Sequence, residues 1–142
     1  MRYPEYFIAP MREELTRHGV EEAKTPEEVD RLLASDSGTV MVVVNSVCGC
    51  AAGKARPGVV QALEHGVKPD RIATVFAGGD VEATARIREL LPSYPPSSPS
   101  VALFRNGKPV FMMPRHEIEN RTAGQIAEKL TAAFDEHCAQ RV

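Results

Sequence analysis

Apolar positions recur at two different spacings along this chain, and the switches between them mark out its elements. Ile8, Met11 and Leu15 return at helical spacing among charged residues, which predicts a short amphipathic helix closing near Gly19. In "TPEEVDRLL", Thr25 is suited to cap, Pro26 to the first helical position and Glu28 to completing a capping box, while Val29, Leu32 and Leu33 form the inward stripe. "TVMVVVN" then drops all alternation, as a central strand covered on both faces does. "AAGKARPGVVQALEHG" reads as a helix with Val59, Val60 and Leu63 inward, bent by Pro57 and ended by Gly66.

A second strand, "RIATVFAGG", leads into a helix over "DVEATARIRELL", capped by Asp80, with Ala83, Ile87, Leu90 and Leu91 on one face. Pro92 to Ser100, "PSYPPSSPS", is too rich in proline for helix or central strand and is expected to be an ordered loop. "VALFRNGKPVFMM" predicts a hairpin turning at Asn106-Gly107, with Pro109 placing its second arm at a sheet edge. Thr122 and Gln125 form a capping box for a last helix, whose buried stripe is Ile126, Leu130, Ala133 and Phe134 and which ends close to Cys138. The sum is a single α/β domain over residues 1–142, a central mixed β-sheet flanked by helices with extra helices at its N-terminus.

Lysine and arginine are scattered among glutamates and the formal net charge is only −2, so no basic face is expected and nucleic acid is excluded as a partner. The longest apolar run, Val40 to Val44, is far short of the roughly 20 residues that span a bilayer, and no membrane association is expected. "MRYPEYFIAP" has no signal-like core, which points to a cytoplasmic protein. In a reducing compartment a close cysteine pair is chemical more often than architectural, and two of the three cysteines, Cys48 and Cys50, stand one residue apart.

A cysteine reacts as its thiolate, and Cys48 falls where a strand gives way to a helix, beside free backbone N–H groups. Lys54 and Arg56 follow, and no acidic residue lies between Asp36 and Glu64, so the local sequence favours an ionised thiol. Closing Cys48 onto Cys50 makes a ring smaller than that of a CxxC pair, and its strain implies a comparatively oxidising couple. Gly49, Ala51, Ala52 and Gly53 keep the approach free of bulk. Two alternatives stand beside redox use: the cysteines as small buried hydrophobes, or as ligands of a metal whose set Cys138 and a histidine would complete.

"NSVCGCAAGKARPG", "SSPSVALFRNGK", "RHEIENR" and a terminal helix ending near "HC" together resemble the bacilliredoxins, small thioredoxin-like proteins, over nearly the whole chain. The resemblance implies a thioredoxin-like fold and a cytoplasmic thiol–disulfide oxidoreductase that removes bacillithiol from S-bacillithiolated proteins, with disulfide isomerase activity in some members. It implies Cys48 as the attacking and Cys50 as the resolving cysteine, with Gly49, Ser98 and Pro99 at the substrate, Pro99 following a cis bond and facing the cysteines. No tightly bound cofactor or metal is implied. Bacillithiol is the thiol co-substrate, and bacillithiolated or oxidised client proteins are the partners. The chain departs from ordinary thioredoxins in having no Trp before the first cysteine and no CxxC.

Cys138 is expected to be a packing residue of the last helix and His116 a partly exposed residue at a strand end without catalytic duty. Asn45 and Ser46 are placed to hydrogen-bond near Cys48, fixing its loop without joining the chemistry.

Overall fold

Val42, Val43 and Val44 leave no polar face on their strand, so a sheet built on it needs cover on both sides. The structure, a computed structural model that describes residues 2–138, supplies that cover; Met1 and residues 139–142 of the expected domain lie outside the described residues. Its elements are α1 (Glu5–Thr16), β1 (Glu21–Glu22), α2 (Pro26–Leu32), β2 (Thr39–Asn45), a π-helical segment (Ala51–Ala55) running into α3 (Arg56–Ala62), β3 (Arg71–Phe76), α4 (Val81–Glu89), β4 (Ser100–Arg105), β5 (Lys108–Met113), α5 (Arg115–Glu119) and α6 (Ala123–His137). The five strands form one mixed sheet in the order β1-β3-β2-β4-β5, with β1, β3 and β2 parallel and the β4–β5 hairpin antiparallel. The expected α/β layout, with two helices ahead of the central strand, is the one observed.

Because side chains alternate along a strand, β2 feeds two cores. Met41 and Val43 join Val101 and Leu103 beneath α3 and α6, in a cluster with Val59, Ile126, Leu130 and Phe134. Val40, Val42 and Val44 join Ala73, Val75 and Phe104 beneath α2 and α4, with Val29, Leu32 and Ile87. β1 has no sequence signal, since Glu21 and Glu22 show no apolar alternation; its two residues are drawn in by backbone pairing with Ala73 and Thr74, with Val20 and Ala23 buried on either side.

Local signals hold where the partner is also local. The Thr122 hydroxyl accepts from the Gln125 N–H and the Gln125 side chain accepts from the Thr122 N–H, a complete capping box. Asn106 and Gly107 turn the hairpin with φ of 49° and 81°, and a Cβ on Gly107 would sit 2.5 Å from the Leu33 carbonyl oxygen, so this position requires glycine. At α2 only half of the box forms: Thr25 accepts from the Glu28 N–H, but the Glu28 carboxylate takes the Thr25 hydroxyl instead of its N–H.

Three expectations are corrected. Asp80 precedes α4 without capping it, because its carboxylate is already engaged by the buried Arg12 guanidinium at 2.8 and 2.9 Å and by the Phe76 N–H at 3.0 Å. Arg12 also stacks over the Phe76 ring, 5.4 Å from its centroid. The irregularity of the helix after the cysteines lies ahead of the proline and not at it: a π-helical turn, Ala51–Ala55, runs directly into α3, with Pro57 in the first turn of α3. That helix ends at Ala62, before Gly66, whose φ is not positive.

Two substitutions test this packing. Helix propensity alone makes Gly58→Ala stabilising by about 1 kcal/mol, but the new Cβ would lie 2.7 Å from Ile126 Cγ2 and 3.1 Å from the Ala123 carbonyl oxygen. The clash wins, and urea denaturation should show a net loss of about 1 kcal/mol. Asp80→Ala strands a buried guanidinium, softened by Glu5 and Glu22 at 2.9 and 3.3 Å, and should cost about 3 kcal/mol in the same assay.

Candidate active site

The site begins where β2 runs out of partners. Asn45, the last residue of the strand and buried, turns its side chain back into the protein: Nδ2 donates to the Met11 carbonyl at 3.2 Å, and Oδ1 accepts from the Ser46 N–H and from Arg56 Nη1, each at 2.9 Å. Arg56 is 2% exposed and also donates to the Ser46 carbonyl at 2.8 Å and to Glu14 at 2.9 Å. Ser46 is thereby held from both its N–H and its carbonyl. Its hydroxyl lies 3.2 Å from Cys48 Sγ.

Cys48 is half-buried at the edge of an open cleft of about 360 Å³. Ser46, Val47 and Cys48 form one side, Ala77 and Gly78 from the end of β3 another, and Ser98 with Arg115 the third, while Tyr3 closes the N-terminal side. The Tyr3 N–H donates to the Gly78 carbonyl at 2.8 Å, so the segment before α1 is stitched to the cleft. Arg115, the first residue of α5, is aimed by two bonds: its N–H donates to Ser97 Oγ and Nη1 donates to the Ser98 carbonyl, both at 3.2 Å.

Opposing influences act on the Cys48 thiol. Burial pushes its pKa up, but hydrogen bonds from Ser46 and from the Ala51 and Cys50 N–H groups, with the charge of Arg115, outweigh it and hold the thiol below its ordinary value. Arg115 is in turn raised, chiefly by the charge of Cys48. The charges expected from the neighbouring sequence serve elsewhere: the Lys54 ammonium donates to the Glu119 carbonyl and Arg56 is paired with Glu14. The cation facing Cys48 comes instead from "RHEIENR", a segment singled out in the sequence for His116. That histidine is exposed on α5, not at a strand end.

The residues expected at the substrate are placed unequally. Ser98 lines the cleft; Pro99 is buried just ahead of β4, and the Ser98-Pro99 bond is cis. Gly49 is exposed and outside the cleft lining, its φ is not positive, and a Cβ there would meet nothing within 4 Å, so no backbone or packing demand calls for glycine. Cys50 is half-buried and packs partly against the core under α3 and α6. Cys138 reaches Thr39, at the opposite end of β2 from the cleft, and burial pushes its thiol up. Seven strand residues span roughly 20 Å, so Cys138 cannot complete a ligand set with Cys48. No cluster of three His, Cys, Asp or Glu side chains fit to hold a metal occurs among the described residues.

Comparison with known proteins fits this arrangement. Residues 3–138 match the family described as "Disulphide isomerase". The chain is 57% identical over 136 residues to a bacilliredoxin of Koribacter versatilis, covering 96% of this chain and 94% of the relative, and 50% identical to a bacilliredoxin of Halalkalibacterium halodurans, covering 97% and 98%. Among solved structures it is similar to the thioredoxin of Malassezia sympodialis (TM-score 0.60, 18% identity, 85% of this chain and 92% of that one) and to that of Fasciola hepatica (TM-score 0.58, 18% identity, 83% and 99%). These two likenesses concern the fold alone. With a thioredoxin fold, a family match over residues 3–138 and bacilliredoxin relatives at 57% and 50% identity, the chain belongs to the bacilliredoxin family of thiol–disulfide oxidoreductases.

Proposed function

We propose that this oxidoreductase reduces mixed disulfides between bacillithiol and client proteins in the cytoplasm, with Cys48 as nucleophile, Cys50 as resolving thiol and no tightly bound cofactor. The observation that carries it is Cys48 itself, a thiol held below its ordinary pKa by Ser46, two backbone N–H groups and Arg115 at the edge of an open cleft. In the first step the Cys48 thiolate attacks the bacillithiol sulfur; the new S–S bond forms as the old one breaks, and the client cysteine leaves as a thiolate. In the second, Cys50 attacks Cys48 Sγ, releasing bacillithiol and leaving a Cys48–Cys50 disulfide, or a second molecule of bacillithiol attacks the carried one and returns Cys48 as thiolate. Ser98 and Pro99 border the path of the client, and Gly49 leaves the space above the motif open.

The family description favours a second activity of the same thiolate, attack on a disulfide within a client, followed by rearrangement and release without net redox change. A non-enzymatic thiol- or metal-binding module is the competing class, and it requires no turnover.

Cys48→Ser should abolish turnover of both a bacillithiolated client and a scrambled-disulfide client. Cys50→Ser should retain the first step and accumulate a bacillithiol adduct on Cys48, visible as the added mass of one bacillithiol on the intact protein. Retained activity in Cys48→Ser would reverse the assignment, and absence of turnover in the unmodified protein would favour the module. The pH profile follows from the thiolate's stabilisation: rate rises with pH as Cys48 deprotonates and levels off above an apparent pKa below that of an ordinary thiol. Ser46→Ala removes a bond to the ionised form and should move that midpoint up by about one unit, read from thiolate absorbance and from the rate of alkylation.

A further inference from the structure

We infer that Arg115 is a specificity-determining residue that binds the carboxylate of an acidic low-molecular-weight thiol in the Cys48 cleft, so that the small thiol's sulfur, and not the client's, is the one attacked. This rests on the oxidoreductase reading and adds to it the charge class of the substrate and the residue that reads it.

Among the described residues lining the cleft, Arg115 alone carries a formal charge apart from the Cys48 thiolate; its neighbours there are serines, small residues and Tyr3. The guanidinium is aimed by its bond to the Ser98 carbonyl, yet that bond uses one of its five donors. Its carboxylate partner among the described residues, Glu119, lies at 3.5 Å and both side chains are more than 40% exposed, a pair too weak to consume the charge. A planar fork with free donors suits a carboxylate, which it can hold through two bonds. The cleft volume of about 360 Å³ suits a small molecule and not a protein surface.

The reaction itself frees the site. Before attack, Arg115 faces the Cys48 thiolate; once Cys48 Sγ has bonded to the incoming sulfur, that negative charge has left with the client thiolate. A carboxylate on the carried thiol replaces it beside the guanidinium. A neutral or cationic thiol leaves the guanidinium with only the weak, exposed Glu119 partner, so the mixed disulfide on Cys48 is favoured when the small thiol is acidic. No redox partner is needed for this step, since one S–S bond is exchanged for another.

The test uses the full chain and one client peptide with a single cysteine, blocked in turn by 3-mercaptopropionate, 2-mercaptoethanol or cysteamine. Each single-turnover rate is divided by the rate at which dithiothreitol removes the same group. The unmodified protein should favour the anionic adduct over the neutral one roughly fivefold and disfavour the cationic one, with the preference shrinking as salt rises. Arg115→Gln should bring the anionic-to-neutral ratio close to one, while Arg115→Lys keeps part of it. Equal normalised rates in the unmodified protein, or an Arg115→Gln variant slowed by the same factor on all three adducts, would overturn the assignment and leave oxidoreductase activity standing. If no adduct turns over, the oxidoreductase reading fails and the assignment with it.

Discussion

A buried guanidinium holds the end of the central strand, and the chemistry of the site depends on it. Arg56 loses its hydration at 2% exposure, a cost of several kcal/mol that only good hydrogen bonds and an opposing charge can offset. It finds them in Asn45 Oδ1, the Ser46 carbonyl and Glu14. Because Asn45 Oδ1 also accepts the Ser46 N–H, the backbone of Ser46 is fixed on both sides, and the Ser46 hydroxyl is left in one place, 3.2 Å from Cys48 Sγ. The serine beside the sulfur thus owes its position to α1, β2 and α3 together.

This division of labour gives the two arginines opposite environments. Arg56 is neutralised within the protein, so its charge builds the loop and has little left for the thiol. Arg115 sits at the cleft with an exposed, weak partner, so its charge remains available to an anion. The N-terminal helix belongs to the same construction. It contributes Glu14 and the Met11 carbonyl to the network beneath the cysteines, and Arg12 clamps it to Asp80, just ahead of α4. The clamp places Tyr3 against Gly78, where it walls the cleft. Helices that look like decoration on a smaller fold therefore help to shape the cleft at Cys48.

The features legible in the sequence are those whose cause is local. The unbroken valines of β2, the Thr122–Gln125 box and the Asn106-Gly107 turn each need only neighbours a few residues away, and each occurs where its pattern says. Cys48 and Ser46 were legible for the same reason. Asp80 was not, because its cap signal is outbid by an arginine from α1 that no local pattern reveals. Arg115 was hidden more deeply: a cation in a short segment after the hairpin reaches Cys48 only because antiparallel pairing of β4 and β5 returns the chain to the cleft. The near neighbours Lys54 and Arg56 offered a simpler source of charge, and tertiary contacts took both away.

The balance of effects on Cys48 also bears on which cysteine attacks. Complete exposure would leave an unactivated thiol, and a strongly stabilised thiolate would be a poor nucleophile, since intrinsic reactivity falls with pKa and is best when the pKa lies near ambient pH. Partial burial opposes ionisation, hydrogen bonds and one cation favour it, and the balance lowers the Cys48 thiol. Cys50 has neither the cleft position nor the serine contact and rests partly against the core. On the proposed reading, the thiol with the cleft and the serine contact attacks, and the one resting against the core resolves.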